Sequence, residues 1–169
     1  PQGIPAGEIY QALERGSLDA AEWIGPYDDQ KLGLNRVAKF YYYPAWWEGG
    51  TNFSFYVNAK AHDALSSELR AILETATTHA AAHCSARYDA YNPVALKELV
   101  ASGVELHAFP RDILDAAFKA ATELYDELNQ KNANWRRIYG DYVNFRRDGN
   151  NWLRYAEASF DQFLQRQRY

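Results

Sequence analysis

Two acidic residues, each beside tryptophan, are the part of this 169-residue chain whose types and spacing best suit chemistry. Glu22 and Trp23 stand in "AAEWIGPYDD", and Glu48 follows Trp46 and Trp47 in "YYYPAWWEGG". Carboxylates are hard oxygen donors of the kind that Na⁺ or Ca²⁺ takes in proteins. The glycines after Glu48 allow the backbone to approach a ligand closely. The pattern is typical of a cation site, but the same acids would also suit a solvated surface beside core aromatics, and both interpretations stay open.

Other groups of residues in the sequence are weaker candidates for a metal site or a catalytic site. His79 and His83 are four residues apart with Cys84 adjacent, which is compatible with zinc, yet no Glu follows His79 and no fourth ligand is evident. Asp28 and Asp29 are expected in the first turn of a short helix, where acids favour the positive helix end. The sequence has no glycine-rich phosphate loop, serine elbow or paired nucleophile and base, so the case for an enzyme is weak.

Composition limits the class of protein. The chain is 47% hydrophobic and carries a net charge of −4, with both signs interspersed. This is enough apolar material for one domain with a core, and the absence of a basic stripe argues against a nucleic-acid partner. No apolar run reaches the length of about 18 residues that a membrane span requires. The single cysteine excludes an internal disulfide.

The first third of the sequence alternates between helix and strand signals. A helix is predicted over 5–16, with proline at its entry and Gly16 at its end. Further predicted elements are a short strand at 19–23, a short helix at 26–33, and strands at 37–44 and 52–58.

Helical periodicity dominates the rest of the chain. A helix is predicted to begin near Leu65 with Ser66 or Ser67 as its cap, and a new one to begin at Pro93 and end at Gly103. A strand at 104–109, a helix at 110–131 and a helical tract at about 132–168 follow, with bends expected at Gly140 and Gly149. The fold class is therefore α/β. The strands are too few for a self-contained sheet, which favours part of a larger molecule.

The last tract has an aromatic stripe that a solvent-facing helix would not need. We expect this stripe to be buried in the largest hydrophobic contact of the molecule and to support a homodimer. Its members are Trp135, Tyr142, Phe145, Trp152, Phe160 and Phe163.

The two tryptophan-acid motifs resemble those of the extracytoplasmic solute-binding subunits of tripartite ATP-independent periplasmic (TRAP) transporters. The likeness continues through "FYVN", "ARYDAYNPVALKELVASGVEL" and "NNWLRYAEASFDQF". "EWIGPYDD" with "WWEGG" resembles the branch that binds 2-oxo acids and related small carboxylates such as lactate. Ala6 and Ala45 are mild departures from the family pattern.

The resemblance implies a fold and a domain assignment. The fold would be the C-terminal half of a two-lobed, type II-like periplasmic binding protein with long C-terminal helices. Residues 1–20 and about 59–169 would form mainly the second lobe and spanning helices, and about 21–58 a segment of the first lobe. Members of the family are longer, so an N-terminal half is expected to be missing, and with it the arginine that pairs with the substrate carboxylate.

The resemblance also implies the site residues. The carboxylates of Glu22 and Glu48 and the main-chain oxygen of Trp23 would bind the cation, Na⁺ or Ca²⁺. The residues expected at the substrate are Trp23, Glu48, Trp47, Tyr27, Asn52 and Phe53.

The function that the resemblance implies is that of a receptor rather than an enzyme. A periplasmic protein of this kind would close on a small carboxylate and deliver it to the membrane permease subunits. The alternative is a metal-dependent enzyme that acts on a small carboxylate with Glu22 or Glu48 as its base. Ligand-dependent quenching of tryptophan fluorescence without product formation would separate the two.

Overall fold

The computed structural model describes residues 3–45, 49–50 and 53–167. The chain divides into two compact units, Pro1–Pro110 and Arg111–Tyr169. The elements of the first unit are α1 (Ala6–Glu14), α2 (Pro26–Lys31), a 3-10 turn (Leu34–Arg36), β1 (Phe40–Tyr43), α3 (Ala59–Asp63), α4 (Ser67–Ala101) and β2 (Glu105–Ala108). The second unit contains α5 (Arg111–Lys131), α6 (Ala133–Tyr155) and α7 (Glu157–Gln165). In the described part of the chain, no helix has both the length and the apolar character that crossing a bilayer requires.

The first unit contains a pair of parallel strands, one from the middle of its sequence and one from its end. β1 pairs with β2 from Phe40 opposite Glu105 to Tyr43 opposite Ala108. Parallel strands need a long crossover, and α3 and α4 provide it. An ion pair of 2.8 Å between Lys39 Nζ and a Glu105 carboxylate oxygen joins the two strand entrances. The strands predicted at 37–44 and 104–109 are therefore confirmed.

The core of the first unit lies where α2 packs on α4. Ala95 and Leu99 of α4 are only 2% and 3% exposed, and Val104, just before β2, is 7% exposed. Ile9 on α1 is buried as well. Few side chains of the described residues are this deeply buried, so each contributes a large share of the apolar stabilisation.

Local sequence signals determine where the long crossover helix begins and ends. The Ser66 hydroxyl accepts a hydrogen bond from Leu69 N–H at 3.3 Å, which confirms Ser66 as the cap. At the other end Gly103 adopts a positive φ of 97°. Val104 N–H donates to the Leu99 carbonyl and Gly103 N–H to the Val100 carbonyl, the two bonds of a Schellman motif. A side chain at this left-handed position would be strained.

Two predicted strands are absent from the described residues. Residues 19–23 are irregular, and the amide groups of Ile24 and Gly25 that follow them bond to the Asp29 side chain of α2. Residues 53–58 pair with no strand among the residues that the structure describes and are exposed, with Phe55 at 61% and Tyr56 at 95%. Alternating hydrophobicity predicts a strand only where a neighbouring strand can complete its hydrogen bonds.

One predicted helix boundary is wrong. Pro93 does not start a new helix, since α4 continues through it from Ser67 to Ala101. A proline removes one internal hydrogen bond, and packing against α2 maintains the helix across it. Helix α6 continues through Gly140 and Gly149 to Tyr155, with Ala156 as its C-cap at φ −88° and ψ −95°, and the bends expected at the two glycines stay a prediction. Glycine weakens a helix by about 1 kcal/mol, which by itself is too little to end a helix of this length.

The second unit is a set of helices with a small aromatic cluster. Trp135 and Tyr139 of α6 stack with ring centroids 5.6 Å apart, and Tyr125 of α5 lies 5.1 Å from Tyr139. Beyond this cluster the aromatic stripe is exposed, with Phe145 at 79% and Trp152 at 69%. The prediction that the whole stripe is buried is therefore wrong within the described chain. The assignment of residue ranges to two lobes stays a prediction.

Candidate functional site

A cavity of about 790 Å³ lies in the first unit, lined by the irregular segment that precedes α2, the 3-10 turn and β1. Glu22 and Trp23 both line it. Its apolar wall includes Leu99 and Val104 from the core. The sequence therefore brings one of its two acid-tryptophan pairs to a concave surface, the kind of place where small ligands bind.

Asp29 connects the segment that contains Glu22 to the sheet. It is 7% exposed and lines the same cavity. One carboxylate oxygen accepts hydrogen bonds from the backbone N–H groups of Ile24 and Gly25, each at 3.3 Å. The other oxygen accepts from the Tyr41 hydroxyl at 2.5 Å. One side chain thus joins the Glu22–Gly25 segment, helix α2 and strand β1.

Burial shifts the pKa of both partners in the acid-tyrosine bond. Loss of water raises the pKa of Asp29, against the lowering effect of its hydrogen bonds to Tyr41, Ile24 and Gly25. Burial also raises the pKa of Tyr41 strongly, with the bond to Asp29 adding to the shift. The neutral tyrosine is therefore the donor at physiological pH.

Replacing Asp29 with Asn is expected to remove a pH-dependent loss of stability. A carboxyl group with a raised folded pKa binds its proton more tightly in the folded state, so its stabilisation is greatest below the unfolded pKa. That contribution disappears as pH rises through the folded pKa, from the ordinary value of 3.8 upward. Thermal melts of both proteins across this range should show that the stability of Asp29→Asn, relative to the wild type, increases with pH. A difference that is flat or falls with pH would contradict the shift.

The charges around the cavity are mostly negative. Asp19, Glu22 and Asp29 line it, and Lys39 is the cationic side chain among its described lining residues. Lys39 is engaged with Glu105, and this bond raises the pKa of the lysine. A cavity with a surplus of carboxylates attracts cations and repels free anions.

Tyr27 lies away from this cavity, in a cluster between α2 and α4. Its ring stacks on Tyr91 at 5.0 Å, and its backbone N–H donates to the Asn92 side-chain oxygen at 3.1 Å. Lys31 donates to the Tyr27 hydroxyl at 2.6 Å, which lowers the pKa of Tyr27. Nearby, a hydrogen bond to Asp28 raises the pKa of Tyr88 to about 12. The observed contacts of Tyr27 are structural, and its role at a substrate stays a prediction.

The remaining predicted site residues are not brought to the cavity by the described structure. Phe53 is 59% exposed and is absent from the described lining of the cavity. Trp47, Glu48 and Asn52 lie outside the described residues. Their assignments, like those of Glu22 and Trp23 as ligands, stay predictions.

The histidine pair on α4 does not form a metal centre with other described residues. The rings of His79 and His83 lie 6.0 Å apart on exposed positions, and Cys84 is half-buried. No group of three or more His, Cys, Asp or Glu residues with metal-site geometry occurs in the described parts of the chain. Two exposed imidazoles lack the ligand number of a structural zinc site.

The donor chemistry at the cavity fits a hard cation. The carboxylate of Glu22 and the main-chain oxygen of Trp23 are both oxygen donors, and the acidic lining supplies the matching field. These donors are only part of a coordination shell of six or more oxygens. Glu48, outside the described residues, is the further donor that the sequence predicts.

Asp29 is the residue at this site that sequence reasoning interpreted incompletely. Its expected position at the start of α2 is confirmed. Its burial and its bond to Tyr41 were not predicted, because they depend on the tertiary structure, which brings the Tyr41 side chain of β1 to α2. A carboxylate four residues after the N-cap glycine is too common a feature to single out in the sequence.

Comparison with known proteins places these features in a family. The model of the bacterial extracellular solute-binding proteins, family 7 (DctP), matches residues 1–132. The monocarboxylate 2-oxoacid-binding periplasmic protein of Nostoc sp. is 43% identical over 162 residues, which cover 96% of this chain and 44% of that protein.

Solved structures of TRAP transporter solute-binding proteins share the fold. One from Bordetella bronchiseptica, a dimer of mixed occupancy with copurified calcium and picolinate in one active site and the other site apo, is 43% identical with a TM-score of 0.90. One from Colwellia psychrerythraea with calcium and pyruvate is 31% identical with a TM-score of 0.92. One from Pseudoalteromonas atlantica with sodium and pyruvate is 32% identical with a TM-score of 0.91.

These matches confirm the predicted fold class and the resemblance. The matched region is only part of each relative. The three structural matches include 97%, 96% and 99% of this chain, but only 49%, 50% and 50% of the matched chains. It therefore spans about half the length of the proteins that it matches. The family model and the curated relative together show that the chain belongs to the family 7 bacterial extracellular solute-binding proteins, and the matched structures are TRAP transporter solute-binding proteins.

Proposed function

We propose that this chain contributes the cation-binding part of a periplasmic TRAP receptor for a small 2-oxo acid or related monocarboxylate. The observation that carries the proposal is the acidic cavity lined by Glu22 and Trp23. The matched solute-binding proteins, which contain calcium or sodium together with picolinate or pyruvate, support it.

The charge of the cavity explains why a cation is needed. A small carboxylate is repelled by a surface on which the carboxylates Asp19, Glu22 and Asp29 outnumber the single lysine of the described lining. A cation held by oxygen donors reverses the local charge and provides a contact for the substrate carboxylate. Apolar neighbours such as Leu99 and Val104 exclude water, which strengthens both contacts.

The proposal is tested by a two-ligand titration of the protein as its gene encodes it. Pyruvate is titrated by calorimetry after dialysis against chelator, and again with Ca²⁺ or with Na⁺ added. We expect pyruvate binding to be detected only with a cation present, and picolinate to compete with it. Equal pyruvate affinity with and without the cation would overturn the cation-bridged mechanism.

The same titration separates a receptor from a metal-dependent enzyme. The matched proteins are solute-binding proteins, which favours reversible binding without turnover. We expect recovered pyruvate to be chemically unchanged after prolonged incubation with the protein and Ca²⁺. A product that accumulates in proportion to protein concentration would favour the enzyme alternative.

The partners follow from the receptor role. Closure on the ligand would present a new surface to the TRAP membrane permease, to which the receptor delivers its cargo from the periplasm. We also propose that the remaining receptor residues, including the arginine expected at the substrate carboxylate, come from an N-terminal half of the kind the longer relatives possess. Co-purification with the permease in the presence of pyruvate, and not in its absence, tests the delivery step.

A homodimer through α7 is the oligomeric state we propose. Phe160 and Phe163 lie on α7 and are 60% and 59% exposed, a large apolar area for a helix in water. Replacing both with Ser is expected to convert a dimer to a monomer in light scattering. Phe118→Ser on α5, which is 69% exposed, is the matched control and should leave the mass unchanged. A monomeric wild type would contradict the dimer.

A further inference from the structure

The Glu22–Gly25 segment reaches the cavity without belonging to a helix or a strand. Backbone outside regular structure lacks a ladder of hydrogen bonds to hold it in place. At the end of this segment, Ile24 and Gly25 both donate their N–H groups to the same Asp29 side-chain oxygen, and the Gly25 carbonyl accepts the backbone N–H of Asp29 at 2.9 Å.

The Asp29 side chain is also held by strand β1, through a bond to Tyr41. Tyr41 is in the middle of β1, where it is opposite Leu106 of β2, and its hydroxyl donates to the second Asp29 oxygen. The carboxylate therefore links the segment before α2 to the sheet, so that the position of one depends on the position of the other. Its near-complete burial means that water does not readily replace either partner.

We propose that Asp29 is a positioning residue for the cation site. By accepting the N–H groups of Ile24 and Gly25, it holds the backbone of Glu22 and Trp23 in place. Its bond to Tyr41 fixes this backbone relative to strand β1. This inference rests on the proposed function. The role belongs to the oxygen that accepts the two amides and not to the negative charge, because an amide oxygen at the same place accepts the same bonds.

Three variants test whether the acceptor oxygen of Asp29 or its negative charge supports cation binding. Asp29→Ala removes the acceptor, and Asp29→Asn keeps an acceptor oxygen without the charge. Glu14→Ala is the matched control, because it removes an exposed acid of the first unit that does not line the described cavity, and it leaves the bonds to Ile24 and Gly25 in place. Each protein is measured for Ca²⁺ affinity in the presence of pyruvate and for hydrogen exchange at the amides of Ile24 and Gly25.

Loss of a residue that orients a metal ligand typically weakens metal affinity by about 10–100-fold. We expect that loss for Asp29→Ala, together with faster exchange at both amides. Asp29→Asn should lose less than about 10-fold, the lower end of that range, and should show near wild-type exchange, because its amide oxygen can accept the same two N–H groups. The Glu14→Ala control should change neither measurement.

The outcomes distinguish this role from the proposed function itself. If the wild type binds no Ca²⁺ or Na⁺ with pyruvate, the proposed function fails and the cation role of Asp29 fails with it. The anchoring role is then decided by amide exchange, and unchanged exchange in Asp29→Ala overturns it. If the wild type binds and Asp29→Asn loses as much affinity as Asp29→Ala, the charge is the active feature and the positioning role is overturned.

Discussion

Replacing Glu22 with Gln is expected to weaken cation-dependent pyruvate binding by more than about 100-fold, since even the outer-shell partners of metal ligands cost about 10–100-fold when removed. The substitution preserves side-chain size and removes the negative charge that the proposed site presents to the cation. Glu22 lines the acidic cavity at an exposed position, so the fold should tolerate the change. Calorimetric titration with Ca²⁺ and pyruvate measures the effect.

The control for this prediction is Glu14→Gln. Glu14 is an exposed acid at the end of α1 and does not line the described cavity, yet its replacement changes the net charge by the same amount. We expect its pyruvate affinity to match the wild type and its melting temperature to stay within measurement error. Retained cation-dependent binding in Glu22→Gln would remove Glu22 from the proposed site, even if the receptor function holds.

Leu99→Ala is expected to produce the largest loss of stability among single substitutions in the first unit. Leu99 is 3% exposed on α4, lines the cavity wall, and belongs to a core with few deeply buried members among the described residues. Truncating a buried leucine to alanine costs about 2–5 kcal/mol, because transfer energy is lost and a cavity remains. We expect a decrease in the free energy of unfolding of about 3 kcal/mol, measured by urea denaturation.

Val100→Ala is the matched control for the core prediction. Val100 is the next residue of α4 and is 46% exposed, so its truncation removes less buried area. Alanine also has the higher helix propensity, which offsets part of the loss. We expect a change within about 0.5 kcal/mol, as for most surface substitutions. Equal destabilisation by the two variants would mean that α4 is not packed as described.

Stability in the first unit and affinity at the cavity are linked through the same elements. α4 packs on α2, α2 carries Asp29, and Asp29 connects to both β1 and the segment with Glu22. A substitution that loosens α4 should therefore also lower affinity. Measuring pyruvate binding of Leu99→Ala at a temperature where the variant is folded checks this connection.

The sequence by itself determined the elements whose signals are local. The cap at Ser66 and the stop at Gly103 depend on hydrogen bonds within a few residues, and both are found as predicted. The strands at β1 and β2 were predicted from their aromatic and alternating residues. The resemblance, which depends on motifs and not on geometry, identified the family that the comparisons confirm.

The tertiary structure decided what depends on neighbours distant in sequence. Residues 53–58 alternate as a strand does but have no strand partner in the described chain, and α4 continues through Pro93 although a local rule predicts a break. The burial of Asp29 and its bond to Tyr41 arise only when β1 packs near α2. Local patterns record the preferences of a segment, whereas pairing and burial are properties of two segments that meet, and that meeting is determined by the packing of the whole unit.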